Sequence, residues 1–476
     1  MILTLAFRHL WVKKRRSAFL LFGFALGVGV MIVLLSVGEA MVDQSRDVAL
    51  VGGGEVTVLP HGIDMEAMRT GGVSGMFFGI DHARFLARQL LGGPRQAGLV
   101  RAVAPVLEGK IVYLTRRDRT IAVRAGGEIP SRAGAVGAGL DVRTGRWHDS
   151  PADSAWIAPD QGQLYDELDR FHLPPTPVST WAEWDYFNVV VSPREWWYIT
   201  LMVAGEVPHG QWGGQVLLTR RRPDGGYERF VTRVTRERIA FDTAAADLTV
   251  GESTVRQRGG VYRIAARAAG DAGEARIDLE LRPRRNRYFP PVELREERLM
   301  SGYAVPALVA EADGAACVAG TCRRVDNAPA YHDHNWGVWR GVTWEWGMGR
   351  GGSSALLYGG VYGPDDAGSS PFFLALVDSL GVRQILRFKT IRYSGARPVP
   401  QAAGVTAPER LELVAAREAD TLRLAVEMAD ALASQVQAEG LGRHFLQMRG
   451  RFVLMGRIAG EAVADSGTGF FETYLR

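Results

Sequence analysis

Seven consecutive residues, Tyr331-His332-Asp333-His334-Asn335-Trp336-Gly337, bring two imidazoles, a carboxyl, a carboxamide and an indole into one short run. Groups of this kind serve metal ligation, acid catalysis or a hydrogen-bonded framework. If the run is a strand, its side chains alternate between faces. Tyr331, Asp333 and Asn335 then share one side, and His332, His334 and Trp336 share the other. Two histidines at i and i+2 make a feasible metal pair, but a site ordinarily takes a third protein ligand. His444 lies far along the chain, and combining the pair with Cys317 and Cys322 follows no common zinc spacing. No metal and no cofactor is therefore expected.

Acid chemistry is a stronger reading of the carboxyl. Hydration of an isolated C=C bond starts with protonation to a carbocation, so the donor must stay protonated near neutral pH. Burial in apolar surroundings raises an aspartate pKa in that direction, and aromatic faces stabilise the cation that forms. Asp333, followed by Trp336, Trp339, Trp344 and Trp346, supplies both parts. The competing reading is a buried Asp-His-Asn cluster that ties strands together through satisfied hydrogen bonds. Which face lines a cavity decides between them, and the expectation is Asp333 inward.

Two further clusters are rich in tryptophan: Glu195-Trp196-Trp197-Tyr198, and Trp344 to Arg350, "WEWGMGR". The first reads mainly as framework, with Glu195 hydrogen-bonding across a barrel and its aromatic neighbours packing on both faces. Trp197 and Tyr198 are its candidates for touching a ligand.

These clusters lie in a region patterned as β-structure. From Trp184 onward, strand-like runs are separated by Gly, Pro and Asp-Gly turns, such as Pro223 to Gly226. Strands at that spacing suggest up-and-down barrels or a sandwich. The length calls for two tandem barrels, 183–340 and 341–476, each able to enclose an apolar ligand. A proline-containing linker, 146–182, precedes them, with a short helix expected around 160–171. Residues 38–145 read as a small α+β unit. Its parts are a strand over "GEVTVLP" (54–60), a helix from an Asp81 N-cap to Gly92, and a hairpin around Arg117–Asp118.

At the start, residues 1–16 end in the basic run Lys13 to Arg16 and read as a cytoplasmic segment. The next stretch, Ser17 to Val37, carries no charge. As a helix it would reach roughly 30 Å, the thickness of a bilayer core. A cleaved signal peptide is the competitor, but its apolar part is usually only about 7–15 residues. The expectation is a retained transmembrane helix over 17–37, with basic residues on the cytoplasmic side. That makes a single-pass protein of the bacterial inner membrane, N-terminus cytoplasmic and C-terminal domains periplasmic. Gly23 and Gly27 form a small-residue step that favours a partner helix. The two cysteines, Cys317 and Cys322, are close enough for a disulfide in an oxidising compartment, or are two inert thiols. A net charge of +4 without a basic stripe argues against nucleic acid.

"EWWY", then "HDHNWG", then W-x-W-G together resemble the carotenoid 1,2-hydratase family, also called hydroxyneurosporene synthase or CrtC-like, which includes AttH-like lipocalin proteins. The closing "GTGFFETYL" (Gly467 to Leu475) is similar to the Gly-rich, Glu-containing last strand of that family. The resemblance covers about 181–476 and implies two lipocalin-like barrels. It also implies an acid role for Asp333 supported by His332, His334 and Trp344. The ligand contacts expected alongside are Trp197, Tyr198, Tyr331, Asn335, Trp336 and Trp346. The first 145 residues resemble the start of a MacB/FtsX-type ABC-exporter permease, although no further membrane helices follow.

Overall the expectation is a mainly β protein: one transmembrane helix, a small α+β domain and two lipocalin-like barrels. It would be a membrane-anchored binder of a hydrophobic isoprenoid, carotenoid or lipid molecule, carrying hydratase-like acid chemistry and linked to ABC transporter ATPase or permease subunits. The alternative is a carotenoid 1,2-hydratase-type enzyme adding water to a C=C bond.

Overall fold

The computed structural model describes residues 14–46, 80–96, 98–116, 119–136, 168–172, 181–206, 210–295, 300–338, 342–362, 372–438 and 441–475, with isolated positions at 56, 58, 150 and 153. The expected strand over 54–60 apart from positions 56 and 58, the turn at Arg117–Asp118, most of the linker, the expected short helix before Leu168, and Trp339 lie outside the described residues, while Leu168 and Asp169 are helical.

The chain divides into two compact units, Met1–Ala83 with Val100–Ile157, and Arg84–Leu99 with Ala158–Arg476. The first contains helix α1 (Lys14–Arg46) and an antiparallel hairpin of β1 (Val106–Arg116) and β2 (Arg119–Glu128). Helix α2 (Ile80–Gly92) crosses the division, and Asp81 lies inside it rather than capping it. Among the described residues no helix is long and apolar enough to cross a membrane. This overturns the single-pass inner-membrane anchor expected over 17–37, and with it the cytoplasmic and periplasmic assignments.

The second unit is mainly β. It opens with β3 (Trp181–Ser192), β4 (Glu195–Glu206), β5 (Gln211–Arg221) and β6 (Tyr227–Thr235). Three short strands follow: β7 (Ile239–Phe241), β8 (Asp247–Val250) and β9 (Ser253–Arg258). Then come β10 (Val261–Gly270), β11 (Gly273–Pro283), β12 (Phe289–Arg295), β13 (Met300–Val318) and β14 (Thr321–Val338). Strands β3, β4, β5, β6, β10, β11, β13 and β14 pair in that order and β14 returns to β3, closing an eight-stranded up-and-down barrel. Strand β12 adds to β13, while β7 to β9 extend from β10.

A second barrel repeats the plan with β15 (Thr343–Gly351), β16 (Ala355–Tyr362), β17 (Phe372–Asp378) and β18 (Gly381–Phe388). After β19 (Ile391–Ser394), β20 (Arg397–Pro398) and β21 (Thr406–Ala407), the ring is completed by β22 (Arg410–Arg417), β23 (Asp420–Ala438), β24 (Leu441–Ile458) and β25 (Glu461–Leu475). It closes through β18–β22 and β25–β15.

Alternation explains how each ring fills. In β11, Ala275, Ile277, Leu279 and Leu281 are buried in the first core while residues between them face outward. The second barrel has its own core, including Leu356, Leu424, Phe452 and Phe471. A third apolar cluster joins outward faces of the two rings. Tyr186, Trp196, Tyr198 and Tyr331 of the first pack with Trp346, Met348, Phe373 and Phe470 of the second. Strands at this seam are therefore buried on both faces, and even polar residues along them, such as Glu183, Asp185, Asp333 and Glu345, are buried.

Candidate functional site: an acid pair between the barrels

Strand β14 pairs with β13 on one side and β3 on the other, which fixes where each residue of "YHDHNWG" points. Tyr331, Asp333 and Asn335 face the seam, whereas His332, His334 and Trp336 fill the interior of the first barrel. Asp333 therefore does not point into its own barrel as expected. The reason is that both sides of β14 are buried, one by its own barrel and one by the neighbouring barrel.

On the seam side, Asp333 Oδ2 accepts a hydrogen bond of 2.6 Å from the Tyr331 hydroxyl, and Oδ1 accepts one of 2.6 Å from Asn335 Nδ2. The Tyr331 oxygen in turn accepts from Trp346 Nε1 at 2.9 Å, a link from the second barrel to the first. Burial pushes the Asp333 carboxyl up to about 7, against the opposing pull of the Tyr331 hydroxyl, and the nearby Glu472 adds to the rise. Glu472, on β25, is also raised by burial. It accepts hydrogen bonds from Trp344 Nε1 and from Gln447 Nε2, both at 3.1 Å. Gln447 Nε2 also reaches the Tyr186 oxygen at 2.8 Å, and Tyr186 is the register partner of Asp333 on β3. Asp333, fully buried, and Glu472, partly buried, thus share one aromatic layer, and both carboxyls are raised by their surroundings.

Tyr198 belongs to this layer, stacked on Tyr186 and meeting Phe470 edge-on. Trp197 does not. It points into the first core beside Phe230, as alternation along β4 requires. Glu195 forms an ion pair with Arg220 at 2.7 Å and with Arg323 at 2.8 Å, bracing β4 against its surroundings. Of the expected residues, Asp333, Tyr331, Asn335, Trp344, Trp346 and Tyr198 come together at the seam, while His332, His334, Trp336 and Trp197 do not. Glu472, Tyr186 and Gln447 were missed. The Glu in "FFETYL" was the available signal for Glu472, and nothing in spacing marked Tyr186 or Gln447.

The opposite faces of β15 and β25 border a cavity of about 420 Å³ at one end of the second barrel. Glu345 lies in its wall and accepts hydrogen bonds from the Tyr393 hydroxyl at 2.6 Å and from Thr473 Oγ1 at 2.9 Å. Tyr474, also lining it, meets the Trp344 ring edge-on at 4.9 Å, so this space adjoins the indole that holds Glu472.

Inside the first barrel, the two histidines meet three carboxylates from elsewhere in the chain. His332 Nε2 lies 2.8 Å from Asp169 Oδ2, and its Nδ1 lies 3.1 Å from the Tyr186 carbonyl. His334 Nε2 lies 2.9 Å from Glu183 Oε1, and its Nδ1 is 2.9 Å from Asp169 Oδ1 and 3.8 Å from Asp185 Oδ1. Burial alone would lower both imidazole pKa values, but the carboxylates raise them, His334 well above its usual range. Burial likewise pushes Asp169 up, but the two histidines outweigh it and hold that carboxyl well below its usual range. Asp185 is pushed up to about 7 by burial and by Asp169.

Fold and seam together define a double-barrel protein with two raised carboxyls where the barrels meet. No family model and no curated protein matches the chain. Among solved structures, it is similar to an AttH protein of Nitrosomonas europaea, with TM-score 0.44 and 13% identity, covering 64% of this chain and 96% of that one. It is also similar to kievitone hydratase of Nectria haematococca, with TM-score 0.41 and 13% identity, covering 63% and 90%. These comparisons support neither the carotenoid hydratases specifically nor the expected MacB/FtsX-type start with its ABC-transporter link.

Proposed function

We propose that the protein is a hydratase-type enzyme that adds water to a C=C bond of an apolar, isoprenoid-like molecule at the aromatic seam, with Asp333 as the acid. The observation that carries this reading is a buried carboxyl raised to about 7, in part by a second raised carboxyl nearby, among tryptophan and tyrosine rings. Asp333 gives its proton to one alkene carbon and the π pair forms the new C–H bond. The cation on the other carbon is stabilised by the faces of rings such as Trp344 and Trp346. Water then adds to that carbon and loses a proton to a seam carboxylate, so the net change is addition of one water. The proposed substrate class follows the carotenoid-hydratase-like motifs and the aromatic side chains of the seam.

Replacing Asp333 with Asn tests the assignment, because the carboxamide keeps the shape and loses the proton. Turnover of acyclic carotenoids is expected to disappear while the β circular-dichroism spectrum stays the same. Absence of turnover by the unmutated protein would remove those substrates from the proposal.

A second reading is binding without turnover. It is favoured by the two 2.6 Å hydrogen bonds that already occupy both oxygens of Asp333, as in a held framework group. Under it, a lipophilic molecule co-purifies and is released unchanged in organic solvent, which mass spectrometry detects.

A further inference from the structure

The histidine face of β14 carries a second chemistry, separate from the seam. A carboxylate can only accept, so the 2.9 Å contact of His334 Nε2 with Glu183 Oε1 places a proton on Nε2. His334 Nδ1 then faces Asp169 Oδ1 at 2.9 Å and Asp185 Oδ1 at 3.8 Å. Although close, Nδ1 and Asp169 Oδ1 form no hydrogen bond of acceptable direction, and both atoms are buried without any other partner. A lone pair against a carboxylate oxygen is repulsive, and a proton on Nδ1 would not point along the contact. A cation between them removes both difficulties.

The acidic groups point the same way. His332 engages only Asp169 Oδ2 and the Tyr186 carbonyl, which leaves Asp169 Oδ1, Glu183 and Asp185 gathered around His334 in a buried space. Carboxylates crowded together away from water are costly unless a positive group balances them.

We propose that Asp169, Asp185 and His334 hold a divalent metal ion inside the first barrel, through Asp169 Oδ1, an Asp185 carboxylate oxygen and His334 Nδ1. These three donor atoms lie within 4.8 Å of one another. One imidazole and two carboxylates suit a borderline first-row ion such as zinc or cobalt(II). Glu183 is the positioning residue: by accepting from Nε2 it fixes the tautomer that leaves Nδ1 for the metal. His332 performs the same service for Asp169. The ion ties the 168–172 segment to β3 and β14, so its role is structural and independent of the seam reaction. The pairing was hidden in the sequence because the third and fourth groups come from Asp169 and Asp185, far from the histidine pair.

Metal analysis of the full chain, purified without chelator, provides the test. The expected result is about one equivalent of a first-row ion retained through gel filtration. After chelation and reloading with cobalt(II), a visible d–d band should appear, and the thermal midpoint should rise on adding zinc. Asp185→Asn should abolish the band. Glu183→Gln should weaken cobalt binding about tenfold or more, and Asp333→Asn should leave it unchanged. Folded unmutated protein that neither carries nor takes up metal overturns the proposal, whether or not the variants fold. So does cobalt binding that is equal in the unmutated protein and in Asp185→Asn. In either case the cluster is a proton-filled network of His334 and the three carboxylates.

Discussion

An aspartate that keeps its proton up to about neutral pH is a poor choice for holding a fold together and a good one for giving up a proton. Asp333 titrates at 3.8 in an exposed setting and near 7 in this seam, so the folded state holds a proton that the unfolded chain releases between those values. The contribution of this group to stability is fully present below 3.8 and is lost as pH rises through about 7. Asp333→Asn should therefore flatten the fall in urea midpoint between pH 5 and pH 8 as it abolishes turnover; an unchanged slope would show that Asp333 is ionised in the fold. Some slope should persist, because Asp185 and Glu472 are shifted in the same direction. Glu472 helps to raise Asp333, so Glu472→Gln should move the alkaline limb of the pH–rate profile to lower pH. An unmoved limb would mean that the two carboxyls do not sense each other. Asp333 could be found in the sequence because tryptophans surround it there. Its partner could not be found by spacing, since Glu472 reaches the seam only after the second ring has closed.

At the scale of the strand, the period of two told which residues of β14 share a face, and this division is what the structure shows. It did not tell which face meets what, because alternation is silent about a second barrel packed on the outside. Trp336 illustrates the constraint on the inner face. A Cβ added at its register partner Gly302 would collide with the indole ring, so only a glycine lets that ring lie flat across β13. The other end of the same hairpin carries the disulfide Cys317–Cys322, between register partners beside the turn. This resolves the choice the sequence left open between a bridge and two free thiols. With a sequence separation of only 5, the bridge closes a short loop, and chain entropy assigns it about 2 kcal/mol. The Cys317→Ser, Cys322→Ser double variant should lose about that much in urea denaturation and keep the proposed hydratase turnover; a rate loss would mean that the hairpin tip communicates with the seam.

The two barrels are joined by more than apolar contact. Asp430 of the second accepts from Arg221 Nε at 3.0 Å and from the Tyr227 hydroxyl at 2.9 Å, both from the first. The guanidinium groups of Arg221 and Arg449 both lie over the Trp196 ring, at 4.9 and 4.6 Å from its centre. Arg449 also donates to the Pro193 carbonyl at 3.0 Å. These contacts rim the layer that contains Asp333 and Glu472, so the geometry of the acid pair depends on the barrels staying together. Asp430→Ala leaves Arg221 and Tyr227 facing a partly buried space without their acceptor, at a cost of about 1–3 kcal/mol. The consequence for cooperativity is more telling than the size of the loss. Each barrel has its own closed core, and only the seam makes them unfold as one. Calorimetry of the unmutated protein should show the barrels melting in one transition. Asp430→Ala should divide it in two and lower turnover before either barrel unfolds, because separating the rings withdraws Trp346 from Tyr331 and Glu472 from the neighbourhood of Asp333. A single, merely shifted transition with turnover intact below it would mean that the apolar contacts alone set the alignment of the two acids.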